Sequence, residues 1–164
     1  MENILVAGAN GAVGKKIVNL LDASQYFKPV AMIRKEDQKE QFESLNIATV
    51  MGDLEQDISH VTKGIDKVIF AAGSAGKKVI EVDQEGAKKF IDVSAQSQIK
   101  KFVMLSSMGA DDPKSSNDLK DYLMAKHNAD EYLKKSDLNF AIVRPGSLTD
   151  KPGTGKIILA SKLD

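Results

Sequence analysis

A chain of 164 residues, with 42% hydrophobic and 28% charged side chains, is long enough for one substantial core and too short for two ordinary domains, so a single domain over residues 1–164 is expected. Its 23 basic and 23 acidic residues cancel, and the lysine pairs at 15–16, 77–78, 88–89, 100–101 and 134–135 are dispersed, which argues against a partner that is nucleic acid or a membrane surface. With no cysteine, the chain has no disulfide, thiolate nucleophile or Cys-based metal site.

Ile4-Leu5-Val6-Ala7 is the first apolar run; it stops at Gly8, and the sequence restarts as an amphipathic helix with Val13, Ile17, Leu20 and Leu21 on one face. The reading is strand, tight turn, helix. Gly8 permits a backbone conformation that a Cβ would forbid, Gly11 lets the main chain approach a bound anion, and Gly14 lets the helix pack on the strand. A diphosphate at such a helix N-terminus gains hydrogen bonds and dipole attraction together. The spacing is Gly-x-x-Gly-x-x-Gly rather than the Gly-x-Gly-x-x-Gly of the standard dinucleotide fingerprint, and its place between strand and helix gives it weight. A P-loop would need glycine at position 9 and Ser or Thr at 16, where Ala9 and Lys16 stand. A strand starting at Ile4 leaves no room for a signal peptide, and no apolar run approaches the ~20 residues of a membrane span, so a cytoplasmic protein is expected.

Five more apolar runs follow: Val30-Ala31-Met32-Ile33, Ala48-Thr49-Val50-Met51, Val68-Ile69-Phe70-Ala71-Ala72, Phe102-Val103-Met104-Leu105 and Phe140-Ala141-Ile142-Val143. None alternates with polar residues, which predicts parallel strands covered on both faces. Between them, Glu36 to Leu45, Leu54 to Val61, Val79 to Gln96 and Leu119 to Lys134 have helical period. The alternation predicts an α/β fold, a Rossmann-type doubly wound parallel sheet with helices on both faces and strand order 3-2-1-4-5-6. Ligands of such sheets bind at the carboxyl ends of strands, where the loose segments Gly109 to Asn117 and Leu148 to Gly155 would meet a substrate.

Arg34 follows the second strand, where a dinucleotide-binding sheet presents the adenosine ribose and where NAD-specific sites place Asp or Glu. A guanidinium there can pair with a 2′-phosphate, favouring NADP over NAD, and Lys35 adds charge; the plainer alternative is a solvent-exposed strand-end arginine. Asp53, in Gly52-Asp53-Leu54, either accepts a hydrogen bond from adenine or caps the next helix. The small side chains of Ala71-Ala72-Gly73 would let a cofactor lie against the backbone, and equally suit tight packing.

Ser106-Ser107 ends the fifth strand and Tyr122 and Lys126 follow on one helix face. If that face looks across the carboxyl edge, the lysine can lower the tyrosine pKa from ~10 and bind ribose hydroxyls while a serine orients a carbonyl, a general-acid site for hydride transfer. His60 and His127 read as exposed helix residues without a partner at metal spacing, and Asp111-Asp112 as a solvated turn, so no metal is expected.

Taken in order, Gly8-x-x-Gly11-x-x-Gly14, Met32-Ile33-Arg34, Gly52-Asp53-Leu54, Leu105-Ser106-Ser107-Met108-Gly109-Ala110-Asp111, Tyr122-x-x-x-Lys126 and Val143-Arg144-Pro145-Gly146 resemble the atypical short-chain dehydrogenase/reductases, the NAD(P)-binding group with NmrA-like and biliverdin-reductase-B-like members, and within it the bacterial YhfK-type oxidoreductases. The run from Arg144 to Gly155 is especially similar to these. The resemblance implies NADP (NADPH) as cofactor, bound by Gly8, Asn10, Gly11, Ala12, Val13, Gly14, Arg34, Lys35, Asp53, Leu54, Ala71, Ala72, Gly73, Lys126 and Pro145. It implies a catalytic set of Tyr122, Lys126 and either Ser106 or Ser107, acting on a small-molecule substrate. Some members of the group are redox-sensing regulators, and on that alternative a protein partner is expected instead of catalysis. Relatives of this type continue for several dozen residues past the equivalent of Gly155, so the domain is expected to lack their covering elements and to expose apolar surface along its last strands.

Overall fold

The computed structural model describes residues 1–149, 151 and 153–155. Each apolar run forms a strand: β1 (Glu2–Ala7), β2 (Phe27–Ile33), β3 (Ala48–Met51), β4 (Lys67–Phe70), β5 (Lys101–Leu105) and β6 (Phe140–Val143). All pairings are parallel and the order is β3-β2-β1-β4-β5-β6, so the fold is the doubly wound Rossmann-type sheet that the alternation predicts. The chain works outward from β1 on one side and from β4 on the other, which opens a crevice above the carboxyl ends of that central pair.

The helices are α1 (Ala12–Asp22), α2 (Lys39–Glu43), α3 (Ala87–Gln96) and α4 (Lys120–Lys134). Strand side chains alternate between two cores. Leu5, Met32, Val68, Phe70, Phe102 and Met104 pack with Phe90 and Ile91 of α3 and Ala129 and Leu133 of α4. The rings of Phe70, Phe90 and Phe102 lie with centroids 5.6 to 6.4 Å apart and tie β4, α3 and β5 together. On the other face Val6, Ala31 and Ile33 pack with Val18 of α1 and Phe42 of α2. Among the described residues that second core stops short of the far strands. There Ile69, Val103 and Ala141 are half-buried and Val143 is 49% exposed.

Three helical segments depart from expectation. Leu54 to Val61 is a succession of turns, not a helix. Its apolar residues, Leu54, Ile58 and Val61, recur at helical spacing and are buried in the first core. The backbone between them is diverted by aspartates: Asp53 Oδ1 accepts the Glu55 N–H at 3.0 Å and Asp57 Oδ1 the Ser59 N–H at 3.1 Å. Such short side-chain loops compete with helical bonds, and the chain settles into three-residue-step turns closed by Asp53, Ile58, His60 and Thr62 carbonyls. Glu36 to Leu45 condenses to a 3-10 turn (Glu36–Gln38) and the short α2, and Val79 to Gln96 divides into a π-helical stretch (Val79–Gly86) followed by α3. No helix among the described residues is long and apolar enough to cross a membrane.

Candidate functional site

The turn after β1 is shaped by its glycines. Gly8 has φ +83°, and a Cβ there would stand 2.6 Å from the Ala71 backbone; one on Gly14 would stand 2.0 Å from the Gly8 oxygen. The Gly11 N–H donates to the Gly8 carbonyl at 3.0 Å. Gly11 is also the N-cap of α1 and offers no side-chain acceptor, so the first N–H groups of that helix are left facing the crevice without a cap. A close-approach cradle with unmet donors is what a pyrophosphate requires.

Two cavities flank this turn. The first, about 310 Å³, extends from Ala7, Gly8, Asn10 and Gly11 across the ends of β2 and β3 to Arg34, Asp53 and Leu54. The second, about 380 Å³, extends from Gly11, Ala12, Val13 and Gly14 toward Ser106, Ser107, Tyr122, Lys126 and Pro145. Gly11, Ala71, Ala72 and Gly73 line both, so they form one cleft along the carboxyl edge. The Ala71 N–H donates to the Ala7 carbonyl at 2.9 Å, which carries Ala71 and Ala72 past the end of β4 onto the cleft floor. Lys35 lines neither cavity; it is exposed where the chain turns away from β2. Arg34 is exposed, lines the first cavity and makes no ion pair among the described residues. Asp53 caps no helix, because none follows; one oxygen holds the Glu55 N–H and the other has no partner among the described residues.

In the second cavity the two serines have different duties. Ser106 is buried and its Oγ donates to Asp130 Oδ2 at 2.8 Å, the same oxygen that receives Arg144 Nε and Nη2 at 2.9 Å each. Ser106 is thus committed to a buried ionic network, in which Asp130 Oδ1 has no partner among the described residues. Ser107 is half-buried; its Oγ donates to the Met108 carbonyl at 3.2 Å, and it stands near enough to the Tyr122 hydroxyl to lower that group's pKa. Lys126 is buried, with Nζ 3.4 Å from the Leu105 carbonyl, 3.8 Å from Asp83 Oδ1 and 5.8 Å from the centre of the Tyr122 ring.

The electrostatics correct one expectation. Burial, and then the Asp83 charge, push the Tyr122 hydroxyl above the usual tyrosine pKa, against a smaller opposing effect of the nearby Ser107 hydroxyl. The Lys126 ammonium lies 5.8 Å from the centre of the Tyr122 ring and 3.8 Å from Asp83 Oδ1, so the cation expected to lower the tyrosine pKa is itself engaged by the carboxylate that raises it. Burial lowers the pKa of Lys126 itself, opposed by Asp83 and then Asp130. His60 lies in a turn rather than a helix, with Nε2 at 2.8 Å from the Met51 carbonyl; His127 is half-buried on α4 with Nδ1 at 2.8 Å from the Ala110 carbonyl. Asp111 faces Arg144 at 3.9 Å. Within the Arg144 to Gly155 run, Asp150 and Pro152 lie outside the described residues.

Asp83, Asp130 and Gln38 belong to the cleft or its support and are absent from the sequence reading. Asp130 had a signal: Tyr122, Lys126 and Asp130 recur every four residues on one face of α4. Asp83 had none, since a π-helical register brings it inward.

A cleft laid across a glycine turn at the carboxyl edge of this sheet defines a dinucleotide-binding α/β protein. The chain belongs to the NAD(P)H-binding family, which it matches over residues 8–164. It is 38% identical over 169 residues to an uncharacterized sugar epimerase, YhfK, of Bacillus subtilis (strain 168), spanning 98% of this chain and 79% of that one. Among solved structures it is similar to a protein described as an NAD-dependent epimerase/dehydratase from Bacillus halodurans, with a TM-score of 0.89 and 40% identity over 95% of this chain and 75% of that one. It is also similar to ChuY, an anaerobillin reductase from Escherichia coli O157:H7, with a TM-score of 0.80 and 26% identity over 94% of this chain and 77% of that one. These relatives agree with the atypical short-chain dehydrogenase-like group that the motifs resemble.

Proposed function

We propose that the chain is an NADP(H)-dependent oxidoreductase that reduces a small carbonyl or conjugated substrate, with Tyr122 as proton donor, Ser107 orienting the oxygen and Lys126 holding the cofactor ribose. The observation that carries this reading is the convergence of Ser107, Tyr122 and Lys126 on a cavity continuous with the one that holds Arg34. The glycine cradle and the uncapped start of α1 fit a pyrophosphate, Arg34 a 2′-phosphate, and Asp53 an adenine amino group. A bound nicotinamide supplies the hydride. Tyr122 supplies the proton: hydride and proton together convert a C=O group to an alcohol, leaving a tyrosinate that solvent reprotonates. The raised pKa of Tyr122 suits that direction, because the hydroxyl stays protonated throughout the neutral range. The likeness to ChuY, an anaerobillin reductase, supports the same direction.

NADPH oxidation monitored against aldehydes, quinones and flavins tests the reading. Tyr122→Phe should leave NADP affinity nearly intact and cut turnover by ~10²–10⁴-fold, the loss typical of a general acid. A Tyr122→Phe protein as active as the parent would remove the tyrosine from the mechanism.

A second reading, a redox-sensing NADP(H)-binding regulator without catalysis, is favoured by the pairing of Lys126 with Asp83 at 3.8 Å, a carboxylate that opposes ionisation of Tyr122. It predicts different affinities for NADP⁺ and NADPH together with no turnover of any substrate in the panel.

A further inference from the structure

β2 delivers Arg34 to the first cavity, and the 3-10 turn that follows returns Gln38 to the same wall. Gln38 Oε1 accepts the backbone N–H groups of Arg34 and Lys35 at 2.9 and 3.3 Å. Both partners are donors, so only the carbonyl end of the carboxamide can meet them, and hydrogen-bond chemistry fixes which way the side chain is turned. Its Nε2 is left with two N–H donors and no partner among the described residues. On the same wall stands the Arg34 guanidinium, without an ion pair among the described residues. The acidic residue of this turn nearest to Arg34, Glu36, is drawn to Lys39 at 3.3 Å, and Asp53 lies across the cavity at the end of β3. A carboxylate here would accept from the two hydroxyls of an unmodified ribose; a guanidinium with an amide donor instead suits a phosphate monoester.

We infer that Gln38 is a specificity-determining residue for the cofactor, donating through Nε2 to the 2′-phosphate of NADP alongside Arg34, an assignment that rests on the proposed NADP(H) binding. Arg34 supplies the charge. Gln38 supplies a directed donor whose position is locked, before any ligand arrives, by the backbone N–H of the residue that carries that charge.

The test uses Gln38→Glu, in which a carboxylate can still accept both backbone N–H groups while presenting a negative acceptor where the cavity had a neutral donor. Calorimetric titration of the parent, Gln38→Glu and Arg34→Ala with NADP⁺, NAD⁺, 2′,5′-ADP and 5′-AMP reads the adenosine end without any catalytic signal. The parent should favour the 2′-phosphorylated ligand of each pair, and Gln38→Glu should lose about tenfold or more of its affinity for these, with binding of NAD⁺ and 5′-AMP unchanged or improved. A parent without preference overturns the NADP reading and the Gln38 assignment with it. A parental preference that survives in Gln38→Glu and disappears in Arg34→Ala overturns the Gln38 assignment alone. Equal weakening of both ligands of each pair in Gln38→Glu also overturns it, by reducing Gln38 to a brace for the turn.

Discussion

The Lys126 ammonium lies 3.8 Å from the Asp83 carboxylate, and the two side chains are only 5% and 2% exposed. Asp83 is held from the other side by the Ser74 N–H, which donates to Oδ2 at 3.0 Å, and a Cβ on Gly73 would stand 3.0 Å from Oδ1. The pair therefore occupies the innermost wall of the second cavity, with the Tyr122 ring over the lysine. In a water-poor wall a lysine keeps its proton only with a carboxylate close by, and that same carboxylate opposes ionisation of the tyrosine.

Asp83→Asn should accordingly lower the pKa of Tyr122. The native carboxylate raises it, so removing the negative charge makes the tyrosinate less costly, and burial alone remains to hold the value up. The chain has three tyrosines and no tryptophan, so tyrosinate absorbance with Tyr122→Phe as reference isolates the residue. Any reductase activity should lose its alkaline limb at lower pH in the variant than in the parent. An unchanged Tyr122 titration would show that the Asp83 charge is screened from the hydroxyl.

Gly14→Ala should destroy the cradle. Its Cβ would stand 2.0 Å from the Gly8 oxygen, a backbone atom that cannot swing aside, so α1 must move away from β1. The expected loss is about 2–4 kcal/mol of stability, with loss of NADP binding. Gly64→Ala is the control: its φ is +73° but nothing lies within 4 Å, so only the left-handed backbone penalty of about 1–2 kcal/mol applies, and cofactor affinity should hold. Thermal melts and cofactor titration of both variants check the contrast.

The strands and their order were legible because β1, β2, β4 and β5 are central and read as unbroken apolar runs, and the glycine turn because its residues follow directly on β1. Arg34 and the pair Ser106-Ser107 were legible as edge residues for the same reason, since the first positions beyond a parallel strand fall on the ligand edge, while the choice between the two serines was not. Leu54 to Val61 misled because burial at positions 54, 58 and 61 imitates a helix while Asp53 and Asp57 bend the backbone locally. The environment of Tyr122 was hidden because the group that governs it, Asp83, comes from another element whose inward register depends on π-helical winding. Gln38 was hidden because its place in the cavity depends on a side chain folded back onto its own strand end.

Ser106→Ala and Ser107→Ala should dissociate stability from turnover. Ser106 is one of three donors to Asp130 Oδ2, so its loss should cost about 1.5–3 kcal/mol, the range for a hydrogen bond to a charged group, and leave catalysis to the extent that the fold survives. Ser107→Ala removes a hydroxyl that shares the cavity with Tyr122 and should lower turnover with little change in Tm. Denaturant melts and steady-state rates on one substrate decide between them. The reverse pattern would make Ser106 the serine of the site.

Lys126→Met keeps most of the side-chain volume and removes the charge, leaving the Asp83 carboxylate buried without its cation. Breaking a buried pair from one side typically costs about 3–5 kcal/mol; the 3.8 Å separation and the Ser74 N–H bond argue for the lower end of that range here. The double variant Lys126→Met with Asp83→Asn removes both charges together and should recover much of the lost stability, since two neutral groups of similar size are tolerated where one bare charge is not. Cofactor binding should behave otherwise. If Lys126 also reaches the ribose hydroxyls, NADP affinity falls in the single variant and stays low in the double one, so stability returns without binding. Recovery of both by the double variant would confine Lys126 to a structural pair with Asp83, and the ribose contact would have to be assigned to another group in the cleft.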